Sequence, residues 1–92
     1  MLRLEMLAAD YGDALLLEFG PGDDVTRRIL IDGGPETAYK AVRERLLAVP
    51  TNSRGRRVFD LLMISHVDAD HIEGVIKLLQ DEEVAAAFRD VW

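Results

Sequence analysis

Two histidines and two aspartates fall within six residues, in the run His66-Val67-Asp68-Ala69-Asp70-His71, and these are the only histidines in the 92-residue chain. Imidazole and carboxylate are the side chains that hold divalent metal ions where no thiolate is present, and the sequence contains no cysteine. His66 and Asp68, two residues apart, point the same way from an extended segment. Asp70 and His71 diverge from that pair, so one short loop can address two metal positions. No lysine or arginine lies between Arg57 and Lys77, and crowded carboxylates without a cation repel one another. Plainer roles exist for each residue. Asp70-x-x-Glu73 has the form of a helix capping box, Asp68 could close an Asx-turn, and the histidines could be ordinary strand-end and helix-start residues. The joint pattern favours a metal, and capping by Asp70 can coexist with it.

A second candidate is the loop Arg54-Gly55-Arg56-Arg57, either a phosphate-contacting loop or, as charged loop tips more often are, a solvated surface loop. The net charge of −6 argues against a general nucleic-acid-binding surface, which needs excess lysine and arginine. A third is Asp32-Gly33-Gly34, which reads equally as a strand-ending turn or as part of the site.

These residues need elements to place them. Residues 1–9 alternate as a strand, with Leu2, Leu4 and Met6 on one face and Arg3 and Glu5 on the other. After the turn signal at residues 10–13, Ala14 to Phe19 forms a second strand, expected to turn Leu15, Leu17 and Phe19 inward and Glu18 outward. Residues 20–24 turn the chain again, and Arg28 to Asp32 returns as a third strand. Ala38, Val42, Leu46 and Val49 then recur at helical spacing, with Pro35 in the first turn and Pro50 at the end. Phe59 to Ile64, interrupted by Asp60, is apolar without alternation, which predicts a strand covered on both sides at the centre of a sheet. Ile72, Val75, Ile76 and Leu79 mark one face of a second helix directly after the His/Asp run. Asp81-Glu82-Glu83 is a polar break or a weak continuation into residues 85–88, and Asp90-Val91-Trp92 reads as the start of a strand.

The order β-β-β-α-β-α-(β) predicts an α/β (α+β) fold, a mixed sheet with helices against it. Ligands in such sheets gather at the carboxyl ends of strands, where the His/Asp run falls. Ninety-two residues make one domain at most, and Val91-Trp92 suits a core better than a terminus, so residues 1–92 are expected to be part of a longer domain. Such a half-domain would expose an unpaired edge and an apolar sheet face. A composition 49% apolar and 30% charged is that of a globular protein. There is no apolar run near the ~20 residues that span a bilayer and no signal-peptide pattern, so no membrane partner is expected and the cytoplasm is the default compartment.

The segment Ser65-His66-Val67-Asp68-Ala69-Asp70-His71-Ile72-Glu73-Gly74 resembles the metal-binding signature of the metallo-β-lactamase superfamily. Its usual form is H-x-H-x-D-H, and Asp68 here stands where the second histidine normally does. The H-x-D-x-D-H variant is similar to the subgroup that includes the metallo-β-lactamase domain of bacterial DNA-uptake channel proteins. Gly12-Asp13-Ala14-Leu15-Leu16-Leu17 resembles that subgroup's G-D-A strand, and Ile29-Leu30-Ile31-Asp32-Gly33-Gly34 its D-G-G turn. Together the three segments reach across nearly the whole chain in the right order.

The resemblance implies the N-terminal half of an αββα sandwich and a metal-dependent hydrolase. His66 and Asp68 would ligate the first of two divalent ions and Asp70 and His71 the second, with Asp70 also orienting the attacking hydroxide. Asp13, Asp32 and Gly33 would form the floor of the site, Asp32 supporting a ligand from behind. Glu73, often glycine in the family, is expected to face solvent. Asp68 in place of histidine gives a harder ligand, which favours Mn²⁺ beside the usual Zn²⁺. Two such ions would activate a water and clamp the reacting oxygens of a phosphodiester or related small-molecule substrate. The family draws further ligands, two of them histidines, from later in its domain. Four ligands over two metals fall short of the three per catalytic zinc, so the chain alone is expected to bind metal weakly and to show little activity. The alternatives are a non-catalytic half-domain that docks on a partner, as a homo-oligomer or with a complementing chain, and a structural domain in which the cluster is incidental.

Overall fold

The structure is a computed structural model and describes residues 1–8, 14–34, 39–65 and 69–92, with the backbone alone at residues 8 and 69–72. The first three strands, β1 (Leu2–Ala8), β2 (Ala14–Phe19) and β3 (Arg27–Ile31), form the expected antiparallel meander. The helix α1 (Tyr39–Leu47) then carries the chain across to two short strands, β4 (Arg57–Phe59) and β5 (Leu61–Met63). The helix α2 (Ala69–Gln80) leads to β6 (Ala86–Phe88). Strand β5 lies parallel to β3, giving the order β1-β2-β3-β5, and β4 pairs in parallel with β6.

The expected single strand over Phe59–Ile64 is therefore two. Asp60 divides it, and its groups account for the break. Its N–H donates to the Arg28 carbonyl (2.7 Å) and its carboxylate accepts from the Arg28 N–H (2.8 Å) and the Arg27 guanidinium (3.2 Å). The expectation of a strand at the sheet centre covered on both sides is not met: β5 is the last strand of the four-stranded sheet, and of its three residues only Leu62 is buried, with Leu61 and Met63 on the open face. On the side away from β3, Leu62 donates to the Asp90 carbonyl and accepts from Trp92, in a parallel bridge with Val91. Residues 86–88, offered above as a helix continuation, form β6 instead. Asp81 stops the helix by accepting the N–H groups of Glu83 and Val84 (3.2 and 3.3 Å).

Both helices pack on one face of the sheet. Leu16, Leu30 and Leu62 pair across β2, β3 and β5 and are buried with Val42 and Leu46 of α1, Val75 and Leu78 of α2, and Phe59 and Val84. Burying a side chain of this size contributes about 1.5–3 kcal/mol. The expected α1 stripe of Val42, Leu46 and Val49 is buried, whereas Ala38 lies outside the described residues. For α2 the expected face is wrong in part: Val75 is buried, but Ile76 and Leu79 are 49% and 62% exposed, and the side chain of Ile72 lies outside those described.

The facing of β2 is likewise the reverse of the expectation. Leu16 and Glu18 point at the helices, and Leu15, Leu17 and Phe19 lie on the outer face. Glu18 is 3% exposed and is compensated by Arg3, Arg28 (2.8 Å) and Arg45 (2.9 Å). A buried carboxylate is tolerable only with such partners, and all three lie far from it in sequence. The outer face is a sheet of apolar rows: Leu4-Leu17-Ile29-Leu61, Met6-Leu15-Ile31-Met63 and Leu2-Phe19, with Arg27 at one corner. Leu2, Leu4 and Met6 are 75%, 63% and 58% exposed. The apolar sheet face expected of a half-domain is present.

Candidate metal centre

Strands β3 and β5 run parallel and end side by side, and α2 starts a few residues beyond β5. In sequence the His/Asp run covers the connection from β5 to α2 and the helix's first residues. His66 and Asp68 lie outside the described residues, as does Asp13. The backbone of Asp70 and His71 forms part of the first turn of α2. Since the helix begins at Ala69, Asp70 stands inside its first turn rather than at the cap, where a negative charge still favours the helix dipole.

Around that run the described residues form a bracket. Asp32 is 2% exposed and holds the left-handed φ of 59°, which is uncommon outside glycine. Its N–H donates to the Met63 carbonyl (2.8 Å), extending the β3–β5 pairing by one residue. Its carboxylate accepts both the backbone N–H of Ser65 (2.8 Å) and the Ser65 hydroxyl. Ser65 immediately precedes His66. The next two residues of the turn reach the other side of the run. Gly34, at φ 69°, accepts the N–H of Gly74 at 3.0 Å. A Cβ on Gly74 would overlap the Gly33 carbonyl oxygen, and one on Gly33 would overlap the backbone of Val75. Ser65 and Gly74 were not singled out by their types. Their signal in the sequence is that they are the small residues at the two ends of the segment 65–74 that resembles the signature.

The arginine loop divides in two. Arg54 and Arg56 are exposed at the tip, their backbone N–H groups bonded to the Asn52 side chain (2.9 and 3.0 Å). Arg57 turns inward. Its guanidinium donates to the carbonyls of Leu47, Val49, Glu83 and Val84 at 2.8–3.0 Å, so its donors are committed to the backbone and any phosphate contact falls to Arg54 and Arg56.

Among the described residues no three histidine, cysteine or acidic side chains gather as a metal site. The fit of a metal is judged by donor chemistry. Two imidazoles and two carboxylates in residues 66–71, with no lysine or arginine between Arg57 and Lys77, suit a borderline to hard divalent cation. The buried Asp32 carboxylate is already bonded to Ser65, which fits a support better than a ligand.

No family model matches the sequence, and no curated protein does. Solved structures do match. The HARLDQ-motif metallo-β-lactamase of Cronobacter sakazakii superposes with a TM-score of 0.61 at 20% identity over 92% of this chain. A mutant of that motif gives 0.59 at 21% over 84%. A candidate metallo-β-lactamase from Thermotoga maritima gives 0.59 at 18% over 95%. The fold is the metallo-β-lactamase fold. The chain spans 29%, 27% and 42% of those three proteins, so it carries a portion of the fold. In this portion the ends of β3 and β5 and the start of α2 come together, and the resemblance of residues 65–74 to the superfamily signature falls at that junction.

Proposed function

We propose that this chain is the ligand-bearing portion of a metal-dependent hydrolase that acts on phosphodiester or related bonds. The observation that carries the reading is the Asp32–Gly34 turn. It bonds to residues on both sides of the one stretch that holds both histidines and two aspartates, within the metallo-β-lactamase fold. In the proposed site His66, Asp68, Asp70 and His71 hold two divalent ions, Zn²⁺ or Mn²⁺, which when bound supply water activation and charge stabilisation. Asp70 orients the attacking group, Asp32, Gly33 and Asp13 make the floor, and Arg54 and Arg56 stand by for a phosphate. The Cronobacter motif offers one point of support. By its letters HARLDQ shares its first histidine and fifth residue, aspartate, with the run from His66 to His71, and it too lacks histidine at the third place. The H-x-D-x-D-H subgroup and a cytoplasmic setting belong to this proposal. Among the described residues no helix is long and apolar enough to cross a membrane.

Calorimetric titration of the chain with Mn²⁺ and Zn²⁺ tests the reading. Binding weaker than micromolar, abolished in His66→Ala and Asp70→Asn, is expected because two protein ligands per ion fall short of three. No binding at millimolar metal, or binding indifferent to those substitutions, would sink it. Further ligands from the rest of a domain would appear as two more histidines and an aspartate in an in-frame continuation of the coding sequence.

The outer sheet face favours a second reading, a non-catalytic module. Its apolar rows suit a second β-sheet packed face to face, carried by a complementing polypeptide. A coding sequence that stops at residue 92, together with a chain that binds no metal, would select this reading over the hydrolase.

A further inference from the structure

We propose that Ser65 and Gly74 are positioning residues for the ligand-bearing residues 66–71, a short connection and the first residues of α2, each held by one end of the Asp32–Gly34 turn. This rests on the metal-site reading. The loop leaves the sheet at Ser65, whose backbone N–H and hydroxyl both bond to the buried Asp32 carboxylate. A buried carboxylate without hydrogen bonds is costly, so both contacts are retained together and the departure point of the loop is fixed. On the far side the loop becomes α2, and Gly74 rests backbone to backbone on Gly33 and Gly34. Asp70 and His71 precede Gly74 by four and three residues. Positions so spaced stand on one side of a helix, so they occupy the side of α2 that meets the turn.

The rotation of α2 accords with this seat. Burial of apolar surface alone would turn Ile76 and Leu79 inward with Val75. Instead Gly74, Val75 and Leu78 face the sheet, and Ile76 and Leu79 are left 49% and 62% exposed. The face that carries Gly74 is the one turned to the Asp32–Gly34 turn, at a close approach that only glycine permits at position 74. Asp32 is held at a left-handed φ of 59° in the same turn. One turn, distant in sequence, thus fixes both shoulders of the loop. Ligand constellations tolerate displacements of only about 0.5 Å, and a methyl group at position 74 must push the helix away by more than that.

The test uses the ¹⁵N-labelled chain and the variants Ser65→Ala, Ser65→Thr, Gly74→Ala and His66→Ala. Without metal, Ser65→Ala and Gly74→Ala should keep the far-ultraviolet circular dichroism and the amide shifts of β1 and α1, and move the amide shifts of residues 66–72. With Mn²⁺ alone as the probe, amide line broadening should show at least fivefold weaker binding in both, and Ser65→Thr, which keeps the N–H and hydroxyl, should recover most of it. Unmoved 66–72 shifts in Ser65→Ala, or Mn²⁺ affinities within twofold of the parent in Ser65→Ala and Gly74→Ala, would overturn the proposal. Should Gly74→Ala fail to fold, the two Ser65 variants decide it. If the parent and His66→Ala respond to Mn²⁺ alike, the metal reading fails, and the metal-free shifts still decide whether Ser65 and Gly74 position the loop.

Discussion

Glu18 is the residue whose chemistry depends most on the fold. Burial pushes its carboxyl up, but the hydrogen bonds from Arg3 and Arg28 and the charge of Arg45 outweigh that and hold it below the ordinary carboxylate range. A carboxyl whose folded value is depressed contributes stability above its unfolded value of about 4.3, and that contribution is lost as pH falls through the lower folded value. Unfolding by urea should therefore show the parent losing stability between pH 5 and pH 3 more steeply than Glu18→Gln. At pH 7 the variant should be less stable by about 2 kcal/mol, the scale of hydrogen bonds to charged groups. Equal pH slopes would show that the three arginines do not stabilise the ionised form. Strand periodicity pairs Glu18 with the right parity of β2 and still misplaces it. Leucines occupy both parities of Ala14–Phe19, so the single charge was the only guide to facing. Arg3, Arg28 and Arg45 reverse it, and their convergence is a property of the sheet register and of α1.

At the scale of elements, the three-strand meander, the two helices and the buried side of α1 were legible, because each rests on local period and turn chemistry. The split at Asp60 and the strand at residues 86–88 were not, since both depend on pairing with distant backbone. Arg57 shows the same limit. In sequence it belongs to a basic loop, and in the fold its planar guanidinium gathers four carbonyls from the end of α1 and the turn after α2. Lysine carries the charge but not the fork geometry. Arg57→Lys should lower stability by about 2 kcal/mol, read as a fall in the urea midpoint with the folded-state circular dichroism intact. An unchanged midpoint would mean that those helix-end carbonyls are as well served by water. The candidate site divides by the same rule. The ligand types and their order stood in residues 66–71, and the bracket formed by Ser65, Gly74 and Asp32 required the parallel β3–β5 pairing to bring residues some thirty to forty apart in sequence together.

The whole molecule carries an imbalance that no single element shows. One side of the sheet is covered by α1 and α2 and bound by part-buried pairs of arginine with the buried Glu18, and the other presents ten apolar side chains in three rows with Arg27 at the corner. Taking strand spacing at about 4.8 Å and the rise at about 3.4 Å per residue, four strands and three rows give a footprint of roughly 300–400 Å². That is the scale of the largest apolar patches on ordinary monomers, which are often functional. The rows run across every strand, and a single helix would cover only part of that width, so a second sheet is the layer that matches it. The chain on its own should then bind a hydrophobic dye and associate with rising concentration, measured by fluorescence and sedimentation. Lysine at Leu4 or Met6, both more than half exposed and far from α2, should suppress the association while leaving the urea midpoint close to the parent. A parent chain that stays monomeric at high concentration and binds no dye would show that the face needs no cover.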